Sequence, residues 1–378
     1  MSRREGSIIQ RSKGSWQIRY YGPPDADGKR KQVNETIRGL KADAEKALRE
    51  RLIAIEHGVY VPKDKETVSQ FFARWLDTYA ATNTSVRTTY DYRGNVRRYI
   101  DPTIGSLTLQ SLTARHIQGV YAEMLDRGLS NTTVVQLHRI VKQALSHAVK
   151  WGVLTRNVAD ATSPPKIQRR SIAMWDVPTI NHFLELSKES RFGDLYHFAI
   201  LTGLRRSEIC GLKWQHVDLV KGRLSVVTTL QRIKGLGLVE GHPKTHRSRR
   251  PVALSPEATR LLRSIKGVQI GWQLQAGPVW QDLGYVFTEP DGSPVIPDKV
   301  TQNFARIIKR LHLPHLTLQG LRHAFASLLL SSGVNLKVTS EMLGHSNIAV
   351  TGDIYSHVLP GLQEEAVLAL DRKLAQGQ

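Results

Sequence analysis

Leu201-Thr202-Gly203-Leu204-Arg205-Arg206-Ser207-Glu208-Ile209 is the stretch around which the rest of the chain is ordered. It closes a segment of helical periodicity over residues 194–202 and sets Glu208 three residues after Arg205, on one helical side. Three further stretches in the C-terminal half hold the other unusual residues. They are Gly241-His242-Pro243-Lys244-Thr245-His246-Arg247-Ser248-Arg249-Arg250, Leu318-Gln319-Gly320-Leu321-Arg322-His323-Ala324-Phe325, and Leu343-Gly344-His345-Ser346-Asn347-Ile348, with Tyr355 ten residues after His345.

The chain has 378 residues, room for two or three domains, and carries 53 Lys and Arg against 33 Asp and Glu, a net charge of +20. That excess implies a polyanionic partner, nucleic acid or an anionic membrane surface. It is spread along the chain, with net +6 over residues 1–65, +4 over 66–165 and +10 over 166–378. A membrane binder would concentrate it in one amphipathic helix or tail, so a wrapped polyanion fits better. A hydrophobic fraction of 40% and seven tryptophans exclude a disordered chain. No apolar run approaches the ~20 residues of a membrane span, and the basic N-terminus lacks the apolar core of a secretory signal. Cys210 is the single cysteine, which excludes an internal disulfide and a cysteine-rich zinc site. The expectation is a soluble cytoplasmic protein.

Residues 7–10, 16–21 and 31–36 read as three strands separated by turn chemistry, followed by a helix over 41–56 with Gly58 as its stop. A three-stranded sheet with one helix can enter a major groove. Trp16, Arg19, Tyr21 and Lys31 are groove-facing in that reading, or else ordinary sheet packing and surface. Residues 66–160 read as four helices, over 70–79, 86–99, part of 109–127, and 131–149. Arg87, Arg97, Arg139 and Lys142 are among the basic groups there, each a solvated charge alone and together a set of phosphate contacts. Ser163-Pro164-Pro165-Lys166-Ile167-Gln168-Arg169-Arg170 is a stiff basic linker, in which Arg169 and Arg170 are DNA-contact candidates. From about Trp175 the pattern is α+β and mainly helical. Helices are expected over 177–187, 194–202, 256–265, 297–311, 321–331, 337–343 and 359–374, with strands over 223–231 and 249–254. The expected organisation is an N-terminal domain over 1–62, a helical module over 63–163, a linker over 164–174 and a larger domain over 175–378.

The four stretches taken in order resemble the tyrosine recombinases, the phage-type integrases. The motifs that carry the resemblance are Thr-Gly-Leu-Arg-x-Ser-Glu, Leu-Arg-His-x-Phe-Ala-Ser, Leu-Gly-His-Ser and the following Tyr355, jointly specific where each alone is weak. The resemblance covers essentially the whole chain. It implies a small arm-type DNA-binding sheet domain, a SAM-like helical core-binding module and a mainly helical α+β catalytic domain. It also implies site-specific recombination through a 3′-phosphotyrosine, with double-stranded DNA bearing core-type and arm-type sites as partner. A homo-tetramer on DNA, a DNA-bending host factor and an excision directionality factor are implied as well, as are a nucleoid-associated place in the cytoplasm of a bacterial host and a reaction with no cofactor and no metal.

The chemistry of the residues agrees. Attack on a phosphodiester builds negative charge on the non-bridging oxygens, which two arginines, Arg205 and Arg322, can stabilise bidentately. Tyr355 is the candidate nucleophile, since a phenol can attack phosphorus and leave again, conserving the bond. By resemblance Lys244 protonates the departing 5′ oxygen, His345 bonds the phosphate, and Glu208 orients the arginine or a histidine. Arg247 is a phosphate contact on the same segment. Gln319 stands where the family usually has histidine. It can donate an amide hydrogen bond but cannot take a proton. By resemblance a C-terminal helix over 359–374 packs into a neighbouring protomer, or else completes the core of its own. Two rivals stand beside the recombinase: a type IB topoisomerase-like enzyme without strand exchange, and, given Gln319, a catalytically weakened DNA-binding regulator.

Overall fold

The computed structural model describes residues 6–24, 27–58, 60–168, 174–242, 249–345 and 347–355, and, further on, 367–368, 371–372 and 374–375. Two compact units divide the chain, Met1–Arg169 and Arg170–Gln378.

In the first unit β1 (Gly6–Ser12), β2 (Ser15–Pro24) and β3 (Arg30–Arg38) form an antiparallel sheet in that order, followed by α1 (Lys41–Glu56). Side chains alternate across a strand, and the sequence uses that alternation. Ile8, Trp16, Ile18, Tyr20, Val33 and Ile37 share the face that packs on Ala44, Ala47, Leu48 and Leu52 of the helix. The buried Glu35 on this face is held by Arg51, at 3.2 Å, and by Lys63. On the opposite face the register aligns Ser7, Arg19 and Asn34 in one cross-strand row, and Ile9, Gln17 and Thr36 in the next. Trp16 is thereby corrected: its ring lies on the helix side of the sheet, with Nε1 donating to Gly39 O at 3.2 Å, and not on the open face. Lys31 is exposed on a strand position that shares its side with Val33, and Arg19 lies on the open face.

The rest of this unit is helical. Thr67 caps α2 (Val68–Trp75), which runs through a π-helical turn over Leu76–Ala80 into α3 (Ala81–Asn83). Next come α4 (Val86–Asn95), with its own π-turn over Val96–Ile100, α5 (Ala114–Asp126) and α6 (Asn131–Lys150). The expected helix over 86–99 thus changes its winding at Val96. Phe71, Phe72, Trp75, Tyr121, Leu137, Val141 and Leu145 lie in one buried core, the apolar stripes of helices that have no other way to leave water. Arg87, Arg97, Arg139 and Lys142 are exposed, with Arg87 paired to Asp91 at 3.0 Å and Lys142 to Asp160 at 2.9 Å.

The second unit contains α7 (Val177–Ser187), α8 (Gly193–Thr202) and α9 (Arg206–Cys210), then β4 (Val217–Asp218), β5 (Arg223–Val226), β6 (Thr229–Ile233), β7 (Gly237–Gly241) and β8 (Arg250–Ala253). It continues with α10 (Pro256–Ala276), α11 (Pro297–Arg310), α12 (Leu318–Ser331), α13 (Leu336–Leu343) and α14 (Ile348–Tyr355). The single strand expected over 223–231 is two: β5 joins β4 and β8 in one sheet, while β6 pairs with β7 as a separate hairpin. The helix expected to end at 265 runs on to Ala276, because Ile265 and Gln269 stay buried on its inner side. Trp175, Phe183, Tyr196 and Phe304 form the aromatic centre of the core, and the Trp175 indole donates to Pro314 O at 2.9 Å. No helix among the described residues is long and apolar enough to cross a membrane.

Candidate active site

The opening stretch forms a turn between two helices. Helix α8 ends at Gly203, whose φ of 62° is left-handed. A side chain there is excluded twice, since its Cβ would lie 2.3 Å from the Phe325 ring. The chain then extends through Arg205, the N-cap of α9, with φ −71° and ψ 150°. Arg205 and Glu208 therefore do not share the side of one helix, as their spacing suggests; Arg205 precedes the helix and Glu208 reaches back to it. Glu208 Oε2 accepts from the Arg205 main-chain N at 2.9 Å, and Oε1 from Arg205 Nη1 at 2.8 Å.

Glu208 is only 3% exposed. Burial pushes its carboxyl up, but Arg250 and then Arg205 outweigh this and hold it below the usual range, so it is a carboxylate. Arg250, the first residue of β8, donates Nη1 to Oε1 at 3.3 Å and Nη2 to Oε2 at 3.2 Å. Arg322, on α12 and 2% exposed, donates Nη1 to Gly203 O at 2.8 Å and Nη2 to Leu343 O. Its guanidinium thus fastens the end of α8 to the end of α13. Arg205 stays open to solvent, its side chain 34% exposed, with Nη2 3.4 Å from Gly344 O.

Gly344 ends α13 with φ 65° and turns the chain into His345. His345 Nδ1 lies 2.7 Å from the hydroxyl of Thr351, a fully buried residue of α14. Burial first, then Arg322, Arg205, His323 and Arg250, push the His345 imidazole down to about 4. It is neutral near pH 7. When the Thr351 hydroxyl donates to Nδ1, the ring hydrogen resides on Nε2. The unfolded chain takes up this proton at higher pH than the folded one, near the ordinary 6.5, so stability falls as pH drops from about 6.5 toward about 4. Denaturant unfolding across that range is expected to show the decline, and His345→Gln to flatten it; an unchanged slope would count against the assignment.

The fold thus brings together Arg205, Glu208, Arg322 and His345 from three stretches of sequence. Gln319 is exposed in the first turn of α12, three residues before Arg322 and on its side of the helix. Tyr355 is the last residue of α14, one turn beyond Thr351; its side chain, together with Lys244, Arg247, Arg169, Arg170 and most of the expected helix over 359–374, lies outside the described residues. Two members were not singled out by sequence reasoning. Arg250 looks like half of an exposed Arg-Arg pair, and only its burial in β8 marks it. Thr351 gives no sequence signal at all. No group of three or more potential metal ligands occurs among the described residues.

The phage integrase family model matches residues 171–361, and that of the phage integrase N-terminal SAM-like domain matches 67–125. A tyrosine recombinase XerC-like protein of Caldanaerobacter subterraneus subsp. tengcongensis is 29% identical over 350 residues, covering 88% of this chain and 89% of its own. Among solved structures, the Tn1549 transposon integrase in complex with transposon right end DNA has a TM-score of 0.67 at 21% identity, over 76% of this chain and 94% of its own. A lambda integrase tetramer bound to a Holliday junction has a TM-score of 0.58 at 17% identity, over 92% and 94%. At these identities the two structures speak for the fold.

Proposed function

The chain belongs to the phage integrase family, and on that premise we propose that it is a site-specific DNA recombinase serving integration and excision of a phage or other mobile element. The observation that carries the reading is one carboxylate, Glu208, shared by Arg205 and Arg250, with Arg322, Arg205 and Arg250 all acting on a neutral His345. Three guanidinium charges against one carboxylate leave an excess that a phosphate anion would balance.

Arg205 and Arg322 hold the non-bridging oxygens of the scissile phosphate and stabilise the charge that develops on them. The Tyr355 phenol oxygen attacks phosphorus, the bond to the 5′ oxygen breaks, and Lys244 gives that oxygen its proton. The product is a 3′-phosphotyrosine and a free 5′-hydroxyl. A 5′-hydroxyl of the partner strand then attacks the phosphotyrosine and displaces the tyrosine. Glu208 orients Arg205, and His345 donates Nε2–H to the phosphate. Gln319 donates an amide hydrogen bond, so the phenol proton passes to another group or to water.

Four protomers on two DNA sites exchange strands, an arrangement with a counterpart in the lambda integrase tetramer. The helical module contacts core-type sites through Arg87, Arg97, Arg139 and Lys142. The open face of the N-terminal sheet, with Arg19, Asn34, Gln17 and Thr36 in cross-strand rows, reads arm-type sites. A DNA-bending host protein and a directionality factor complete the assembly in the bacterial cytoplasm. The N-terminal sheet favours this reading over a topoisomerase-like enzyme. Gln319 favours a second reading, a DNA-binding regulator with weakened cleavage.

The test is incubation with nicked DNA carrying the element's junction. A covalent protein–DNA complex mapped to one phosphate is expected, and its absence across several conditions favours the regulator. DNA affinity is further expected to fall by ~10³ or more between about 50 and 200 mM salt, as phosphate contacts release counterions. A flat salt response contradicts the assignment of the charge.

A further inference from the structure

We propose that Arg250 is a positioning residue for Arg205, acting through their shared carboxylate, Glu208; the inference rests on the recombinase reading above. Arg250 is 7% exposed, and its guanidinium is bonded on two sides. Nη1 and Nη2 approach the two oxygens of Glu208 at 3.3 and 3.2 Å, while Nε donates to Met342 O at 2.7 Å. A planar fork that grips a carboxylate bidentately and still reaches a carbonyl is a geometry lysine cannot reproduce.

The consequence falls on Arg205. A buried carboxylate facing a single arginine draws that arginine into a fork-to-fork pair, which turns both of its terminal nitrogens inward. Here Arg250 takes that fork, so Arg205 gives Glu208 only Nη1, at 2.8 Å, and its main-chain N, at 2.9 Å. Its Nη2 points past the carboxylate toward Gly344 O, 3.4 Å away, and the side chain stays open to solvent. Arg250 thus leaves Arg205 anchored at one nitrogen with the remainder of its fork for phosphate.

The bond to Met342 O adds a second constraint. Met342 lies in the last turn of α13, directly before the turn that carries His345, so one side chain of β8 registers the loop of Arg205 against that turn. Gly344 closes over it: a Cβ at Gly344 would lie 2.7 Å from Arg250 Nη1. The left-handed glycine is needed there for its conformation and also for the room the guanidinium takes.

The test is single-turnover cleavage of junction DNA by the full chain, with wild type, Arg250→Gln, Arg250→Lys, Glu208→Gln and the Arg250→Gln/Glu208→Gln double variant. Arg250→Gln is expected to slow cleavage about 10- to 100-fold, with DNA affinity changed less than about threefold. Arg250→Lys should recover part of the rate. In the Glu208→Gln background the same Arg250 change should cost less than about threefold, because its route to Arg205 is already cut. Equal fold-losses in both backgrounds, a loss confined to DNA affinity, or an Arg250→Gln rate equal to wild type would each overturn the role of Arg250. Where Arg250→Gln shows no cooperative unfolding transition, Arg250→Lys enters the same cycle with the same criteria. A wild type that forms no covalent complex overturns the recombinase reading and this role with it. A wild type that cleaves while the cycle is additive overturns the role of Arg250 alone.

Discussion

Replacing Tyr355 by Phe is expected to abolish the covalent protein–DNA complex while DNA binding stays within a few-fold of wild type. The substitution removes one oxygen and leaves an aromatic ring at the end of α14. If that oxygen is the nucleophile, no other group of the site can form the ester to phosphorus. The residual cleavage rate should be lower by about 10⁴-fold or more, the scale on which loss of a nucleophile is felt in enzymes using covalent catalysis. Denaturing electrophoresis of protein incubated with nicked junction DNA reads the complex directly, and a filter-binding titration reads affinity. A complex of undiminished yield in Tyr355→Phe would move the nucleophile elsewhere, and peptide mapping of the adduct would locate it.

The two arginines assigned to the phosphate are expected to separate when each is replaced by Ala. Both variants should lose about 10² to 10³-fold in single-turnover cleavage, the usual loss for one donor to a developing oxyanion. Their stabilities should diverge, because the two side chains are embedded differently. Arg205 is partly exposed, and its removal leaves Glu208 still paired with Arg250. Unfolding should then change by no more than ~1 kcal/mol, as for a partly exposed pair. Arg322 is buried and satisfies Gly203 O and Leu343 O. Arg322→Ala orphans both carbonyls, each at roughly 1–3 kcal/mol, and opens a cavity besides. The sum is a large share of a domain stability of ~5–15 kcal/mol. Thermal unfolding of the free proteins checks this. Equal melting points for the two variants would show that Arg322 is not the tie between α8 and α13.

The sequence was legible where local physics decides. The apolar residues of the first helix recur at helical period and Gly58 follows, which gives it its observed ends, 41–56. The three strands of the N-terminal sheet are legible as aromatic and β-branched runs set between turn residues. Where partners distant in sequence decide, local pattern is silent. Trp16 looks like a groove reader by composition, and only strand parity together with the packing of α1 shows that it faces inward. The split between β5 and β6 is invisible in an unbroken β-rich run, because each half pairs with a different strand, β8 and β7.

For the candidate site the division is sharper. The motif residues Arg205, Glu208, Arg322, His345 and Tyr355 stand out in the sequence by their chemistry and order, and with them family membership was already readable. What the linear chain could not show is how one carboxylate is shared. From the sequence Glu208 orients either the arginine or a histidine, and its sharing between Arg205 and Arg250 depends on β8 arriving beside α9 from later in the chain. The depressed histidine is likewise a tertiary property, since His345 has an ordinary imidazole until burial and the surrounding arginines act on it. Composition and motif specify which groups are available, because they are properties of residue types. Which of those groups are desolvated, paired or left with unmatched charge is decided only when the packed units exclude water and bring charges within a few ångströms.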